Sequence, residues 1–131
     1  MSITAYKRTI SDTEAPRQIE RRVLIQATAD LERYLEFDGA EGRPDKLRIL
    51  ASGLRDAIWK NERIWLTFKH DLAGKENSLP PDLRANLISL AIWVEDHSEA
   101  VMKGAEQIGP LIGINRSIIR GLSGSTLREA E

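Results

Sequence analysis

The sequence predicts an all-α fold, a compact bundle of about four mostly antiparallel helices, one of them long. Apolar residues recur every three or four positions along four segments, which is the periodicity of amphipathic helices. Short stretches containing Gly and Pro separate these segments, and connections of that length favour antiparallel neighbours. Runs of β-branched and aromatic residues bounded by turns, typical of β-sheet proteins, are missing. We therefore expect one helical domain over residues 1–122 and a flexible tail over residues 123–131.

The first helix is predicted over about Thr13–Phe37. Thr13 or a residue just before it can cap the helix, and Pro16 is tolerated in a first turn. A loop is predicted over Asp38–Pro44, because this segment contains two Gly and a Pro and has no apolar period. The apolar face of the helix consists of Ile19, Val23, Ala27, Leu31 and Leu35.

The second helix carries the clearest pattern in the chain. Its apolar positions lie three or four residues apart, the spacing that forms the seam of a helical bundle. Gly74 is a suitable residue to end this helix. The predicted seam consists of Leu47, Leu50, Leu54, Ile58, Asn61, Trp65, Phe68 and Leu72.

Two further helices complete the predicted bundle. The third begins near "PPDLRANL" and is apolar nearly all round over "LISLAIWV", so it is central in the bundle or also faces a partner. The fourth begins at Pro110, since Pro is favoured as the first residue of a helix. Their stripes consist of Leu83, Leu87, Leu90, Val94, His97 and Val101 in the third helix, and of Ile108, Leu111, Ile112, Asn115, Ile118, Ile119 and Leu122 in the fourth.

The composition narrows the class of protein. The 131 residues carry a formal charge of −1, so the chain has no overall electrostatic attraction for nucleic acid or anionic membranes. The absence of Cys excludes a disulfide framework and thiolate chemistry, and it fits a cytosolic protein. No apolar run reaches the ~18 residues of a membrane span, and the N-terminus lacks the apolar region of a signal peptide. We therefore expect a cytoplasmic protein without a membrane segment.

The sequence offers no residue set for catalysis, for a metal or for a cofactor. Zinc needs several convergent imidazoles or thiolates, and the two histidines, His70 and His97, fall on different helices. We expect His97 at the edge of the core and His70 in solvent. The stretch "GLSGST" lacks the Lys, the preceding strand and the following helix of a phosphate loop. These observations predict a non-enzymatic protein.

Asn61 and Asn115 place amides on the apolar faces of two helices. A buried polar group lowers stability unless its hydrogen bonds are made. A single seam Asn can also fix helix register and association state. We expect each amide to bond a neighbouring helix terminus or side chain; a direct contact between the two asparagines is the more speculative arrangement.

Trp59 projects roughly opposite the seam of the second helix, with Arg55, Arg63 and Leu66 nearby. A solvated face rarely needs a Trp, so either another helix of the bundle or a partner protein covers this face. Trp and Arg are common anchors of protein interfaces. The sequence leaves both interpretations open.

A basic cluster lies in the first helix, where "RQIERRV" contributes Arg17, Arg21 and Arg22. Arg17 and Arg21 share a helix face that could contact RNA. Glu20 lies beside them, however, and no aromatic residues interleave to stack on bases. The alternative is a solvated helix face, and the near-neutral charge of the chain argues against direct RNA binding.

Three segments, "NERIWLTF", "LRANLISLAIWVEDHS" and "LIGINRSIIRGL", resemble in this order the FlaF family of flagellar biosynthesis regulators. The segments "AYKRT" and "EAPRQIERR" resemble the N-terminus of the same family, so the resemblance covers roughly Ala5 to Leu122. It implies a cytoplasmic, non-enzymatic protein that promotes flagellin synthesis or secretion. It also implies chaperone-like binding of flagellin and a functional or physical link with FlbT, a regulator of flagellin message.

In a chaperone role, an amphipathic terminal segment of unassembled flagellin would lay its apolar face in a groove between helices. A second hypothesis is regulation of flagellin message, through FlbT or on RNA directly. A third hypothesis is a structural module that oligomerises through the seam of the second helix. The sequence leaves the oligomeric state open. The candidate partner-binding residues are Trp59, Arg63, Leu66, Ile88, Ile92 and Trp93.

Overall fold

The computed structural model describes residues 20–74 and 77–122. Every regular element within these residues is helical, which confirms the predicted all-α fold. Residues 13–19, the predicted start of the first helix, and the predicted tail over residues 123–131 lie outside the described part. The helices are α1, described over residues 20–32, α2 over Glu36–Gly39, α3 over Arg43–Ile49, α4 over Arg55–Ala73, α5 over Pro81–Met102 and α6 over Gly109–Leu122.

The first helix ends earlier than predicted. Residues 33–35 form a turn, in which the Tyr34 N–H donates to the carbonyl of Leu31 at 3.0 Å. This turn directs Phe37 into the core, where it is 1% exposed, and leaves Leu35 half exposed. The prediction of one continuous helix to Phe37 was wrong because the turn buries the larger aromatic side chain instead of Leu35. The predicted loop that followed shrinks to residues 40–42.

The second predicted helix is built from α3, a π-helical turn over Leu50–Leu54, and α4. A π-turn contains one extra residue, which rotates the preceding helix face by about 100°. Leu47 was predicted on the seam, yet it is exposed, while Ile49 is buried in its place. The buried seam residues from the π-turn onward are Leu50, Leu54, Ile58, Asn61, Trp65 and Leu72, with Phe68 partly buried.

The third and fourth predicted helices begin close to their predicted starts. α5 starts at Pro81, and α6 starts one residue before Pro110. Leu83 is exposed because it lies in the first turn of α5, beyond the packed part of the helix. The most deeply buried residues are Ala91, Val94, Ser98 and Val101 in α5, and Ile108, Leu111, Ile112 and Asn115 around the start and middle of α6.

Among α2 to α6, the largest interface joins α4 and α5. Near its end α4 contacts the middle of α5, where Lys69 Nζ lies 2.6 Å from Glu95 Oε1. Near its start α4 meets the end of α5, where Trp59 and Met102 line one cleft. The two helices therefore run antiparallel, as predicted.

Asp38, in α2, ties the first part of the chain to α6. Its carboxylate oxygens accept hydrogen bonds from the backbone N–H groups of Ile108 at 2.7 Å and Gly109 at 2.9 Å. These N–H groups belong to the start of α6 and have no partner within the helix, so Asp38 acts as a cap from a distant part of the sequence. Arg116 of α6 pairs with Glu32 of α1 at 2.7 Å, so α6 also contacts the end of α1.

No helix formed by residues 20–74 and 77–122 is both long and apolar enough to cross a membrane. The helices instead share one core, to which each contributes a deeply buried side chain. Representative members are Leu31 from α1, Phe37 from α2, Ile49 from α3, Trp65 from α4, Val94 from α5 and Leu111 from α6.

Candidate protein-binding site

Trp59 lies on the outer face of α4 and is 50% exposed. Because Arg63 follows one helical turn later, its guanidinium carbon lies 4.9 Å from the centre of the Trp59 ring. This cation–π contact orients the indole without burying it. Leu66 follows two turns after Trp59 on the same face and is also exposed. The three sequence-predicted residues of α4 therefore form one continuous exposed surface.

A cleft of about 510 Å³ opens beside Trp59. Leu50 and Ala51 of the π-turn and Met102 at the end of α5 give it an apolar lining, and Arg55 and Asp56 complete it. The cleft is shallow and widely open to solvent, so it offers a surface depression beside Trp59 rather than an enclosed pocket. We name this feature the Trp59 cleft. A partner that covers Trp59 would have this apolar space available beside it.

The π-turn that shapes the Trp59 cleft depends on Gly53. Gly53 has a φ of 149°, a conformation that residues with a Cβ rarely adopt. A Cβ at this position would also clash with the hydroxyl of Tyr34. The sequence carried a signal for this turn, since a Gly inside a helical pattern suggests a packing or functional requirement. The periodicity alone did not reveal this turn or the contribution of Ala51 and Met102 to the cleft.

The candidate residues of α5 lie elsewhere. Trp93 does not line the Trp59 cleft, and it lies about 13 Å along the helix axis from Met102. Its ring stacks on His97, with centroids 4.6 Å apart. Ile92 is exposed, whereas Ile88 is half-buried. The structure therefore divides the predicted groove between the cleft and the outer part of α5.

His97 links α5 to the connection that precedes α6. Its Nε2 lies 2.7 Å from the carbonyl oxygen of Gln107. Because a carbonyl only accepts hydrogen bonds, Nε2 must carry the proton and donate. His97 is half-buried, and His70 is exposed. No group of three or more His, Cys, Asp or Glu in the described part of the chain is arranged to hold a metal ion.

The seam amides form a buried chain of hydrogen bonds with Trp65. The indole N–H of Trp65 donates to Asn115 Oδ1 at 2.8 Å, and Asn115 Nδ2 donates to Asn61 Oδ1 at 2.7 Å. An indole N–H can only donate, so it fixes the orientation of Asn115, which in turn fixes the orientation of Asn61. Both amides are fully buried between α4 and α6. Asn61 and Asn115 thus contact each other directly and have no surface to offer a substrate.

Between α4 and α5 lies a group of carboxylates. Burial raises the pKa of the Glu62 carboxyl above its ordinary value of 4.5, and the charges of Glu95 and Glu99 raise it further. Glu95 itself lies 2.6 Å from the ammonium group of Lys69. The ionised form of Glu62 is therefore less stabilised by its surroundings than that of Glu95, which is paired with Lys69.

The basic residues considered for RNA contact are only partly described. Arg21 is half-buried and Arg22 is exposed, whereas Arg17 lies outside the described residues. Within the described part of α1, the two arginines thus differ in their access to solvent.

The family model of flagellar protein FlaF matches residues 2–122 of the chain. The match covers every residue that the structure describes, including the Trp59 cleft and the buried amides. It confirms the resemblance seen in the sequence. No curated protein and no solved structure gives a significant match.

Proposed function

The chain belongs to the FlaF family of flagellar proteins, and we propose that it is a non-enzymatic regulator of flagellum biosynthesis that binds flagellin. It acts in the cytoplasm as a chaperone-like protein and promotes flagellin synthesis or secretion. Binding requires a surface on which an unassembled subunit can bury apolar side chains.

The observation that carries this proposal is the half-exposed Trp59 beside an apolar cleft of about 510 Å³. A large aromatic side chain at the edge of an open apolar space is a typical anchor of a protein interface. Leu66 extends the exposed apolar surface along the same face of α4. Within residues 20–74 and 77–122 the core does not cover this surface, and we infer that a partner can bind there.

The partner segment in this proposal is an amphipathic terminal helix of unassembled flagellin. Such a helix lays its apolar face into a groove and presents anchors spaced three or four residues apart. Covering that face would prevent premature polymerisation, and it would couple the supply of flagellin to its export. The hydrogen bonds between α4 and α6 hold in place the helix that carries Trp59.

Calorimetric titration of unpolymerised flagellin into the purified chain tests the proposal. We expect one-to-one binding that Trp59→Ala weakens by about 2 kcal/mol, or roughly thirtyfold. The matched control is Leu35→Ala, because Leu35 is equally exposed but lies in the turn after α1. Circular dichroism would establish that both variants keep their helical content.

The outcomes separate the proposal from its competitors. Binding that both variants retain would place flagellin on a different surface of the chain. An absence of flagellin binding would overturn the proposal and make FlbT or flagellin message the next candidates for the direct partner.

A further inference from the structure

Two arginines flank Trp59 on one face of α4. Arg55 lines the Trp59 cleft, and Arg63 lies over the Trp59 ring. The three residues are spaced four apart, so they follow one another along the helix surface. Both arginines are exposed, and each guanidinium can approach a ligand from the solvent side. The indole therefore has a cationic group one turn before it and another one turn after it.

Two carboxylates near the cleft are paired with lysines, whereas Glu62, next to Arg63, has no ion pair within the described residues. Asp56 Oδ2 lies 3.0 Å from Lys60 Nζ. Glu99, one turn before the end of α5, lies 3.1 Å from Lys103 Nζ. Within residues 20–74 and 77–122, neither of the two arginines beside Trp59 makes an ion pair. The two unpaired arginines outnumber the one unpaired carboxylate, Glu62, so the charge left over at the cleft is positive, although the whole chain carries a charge of −1.

We propose that the Trp59 cleft binds an acidic amphipathic segment of a partner protein. A large apolar side chain of that segment enters the space lined by Ala51 and Met102. Carboxylates on either side of it pair with Arg55 and Arg63. This inference rests on the proposed protein-binding function and adds the chemistry by which the partner is recognised.

The shape and charge of the cleft favour this occupant. A guanidinium offers a planar pair of N–H donors that matches a carboxylate, and pairing strengthens when the neighbouring apolar contact excludes water. The apolar lining offers no hydrogen bonds to ribose or phosphate, so only the two arginines and stacking on Trp59 would hold a nucleic acid. A basic segment would place like charges together beside Arg55 and Arg63.

The test uses two synthetic amphipathic peptides of about 18 residues, or five helical turns. They share one apolar face and differ only in the residues beside it, which are Glu in one peptide and Lys in the other. Each is titrated into the full chain, and the indole N–H resonances of the three Trp are followed by NMR. The Trp59 resonance is assigned from the variant Trp59→Phe.

We expect the Glu peptide to shift the Trp59 resonance saturably and to bind at least about tenfold more tightly than the Lys peptide, since two ion pairs differ between them. The resonance of Trp65, which is hydrogen-bonded in the core, stays in place. In the double variant Arg55→Glu/Arg63→Glu the preference reverses. The control Arg22→Glu, at an exposed position of α1, leaves the preference unchanged.

Equal affinity for the two peptides, or a preference that survives the double variant, would overturn the inference. So would an absence of binding by either peptide, or a Trp59 resonance that moves with protein concentration alone, which would identify a second copy as the occupant. None of these measurements involves flagellin. The recognition chemistry and the flagellin proposal can therefore fail separately.

Discussion

Asn115 uses both ends of its side-chain amide, whereas Asn61 uses only its oxygen. Asn115 accepts from the Trp65 indole and donates to Asn61. The Nδ2 group of Asn61 is buried and has no hydrogen-bond partner among the described residues. The two asparagines therefore contribute unequally to the stability of the fold, although both interrupt an apolar stripe in the same way.

This difference predicts an order of stability for two alanine variants. Asn115→Ala leaves the Trp65 N–H and Asn61 Oδ1 unpaired and should lower the free energy of unfolding by roughly 3–5 kcal/mol. Asn61→Ala leaves only Asn115 Nδ2 unpaired and should cost roughly 1–3 kcal/mol. Urea denaturation measures both. If both variants lost the same free energy of unfolding, the hydrogen bonds among Trp65, Asn115 and Asn61 would not account for the predicted order.

Glu62 predicts a dependence of stability on pH. Its pKa is raised in the folded state, so folded protein holds this proton more tightly than unfolded protein does. The contribution of Glu62 is therefore most favourable below its ordinary pKa of 4.5 and is lost as the pH rises through the folded-state pKa. Glu62→Gln should stabilise the protein at about pH 7 and have little effect at about pH 4.

Urea denaturation across this range checks the Glu62 prediction. Glu41→Gln is the control, because it makes the same change of charge at an exposed position. A gain from Glu62→Gln that is as large at the lower pH as at neutral pH would contradict the proposed effect of burial and of the Glu95 and Glu99 charges.

At the scale of elements, the π-turn between α3 and α4 has the largest consequences. It moves the buried face from Leu47 to Ile49, and it opens the space that becomes the Trp59 cleft. Only glycine fits position 53 of this turn. Any other residue would have a Cβ in contact with Tyr34, and its backbone would have to adopt a φ that such residues rarely show.

Gly53→Ala should therefore destabilise the protein by roughly 2 kcal/mol or more. The matched control is Gly113→Ala in α6, where a Cβ meets nothing within 4 Å. That variant should gain up to about 1 kcal/mol, because Ala is a better helix former than Gly. Thermal denaturation of both variants gives the comparison.

A third variant separates the two causes at Gly53. Tyr34→Phe combined with Gly53→Ala removes the clashing hydroxyl and should recover part of the loss, while the backbone strain remains. If Gly53→Ala were as stable as the original chain, the π-turn would not depend on this glycine.

The periodicity of the sequence predicted which segments are helical and where α5 and α6 begin. It could not predict that Leu47 is exposed, because the extra residue of the π-turn rotates the apolar face of the helix that precedes it. It also could not predict that Asp38 caps α6, since the partner N–H groups lie 70 residues later. Local patterns report which face of a helix is apolar, but contacts between distant segments depend on tertiary packing.

At the scale of the whole molecule, one side of α4 packs into the core and the opposite side is exposed to solvent. The seam amides lock α4 to α6, and the same helix presents Trp59 to solvent. The sequence placed Trp59 opposite the seam but left open whether another helix or a partner covers it, and the structure leaves Trp59 half exposed. The sequence grouped Trp93 with Trp59, however, because apolar character alone does not tell which edge of α5 a residue lies on.

The most direct test of the central claim is seeded polymerisation of flagellin, followed by light scattering in the presence of increasing amounts of the chain. We predict a delay that becomes complete near one chain per flagellin, because each chain covers one terminal segment. Trp59→Ala should lose this effect, and the control Leu35→Ala should retain it. Filament growth that the chain does not delay, or that Trp59→Ala delays equally well, would contradict chaperone-like binding through the Trp59 cleft.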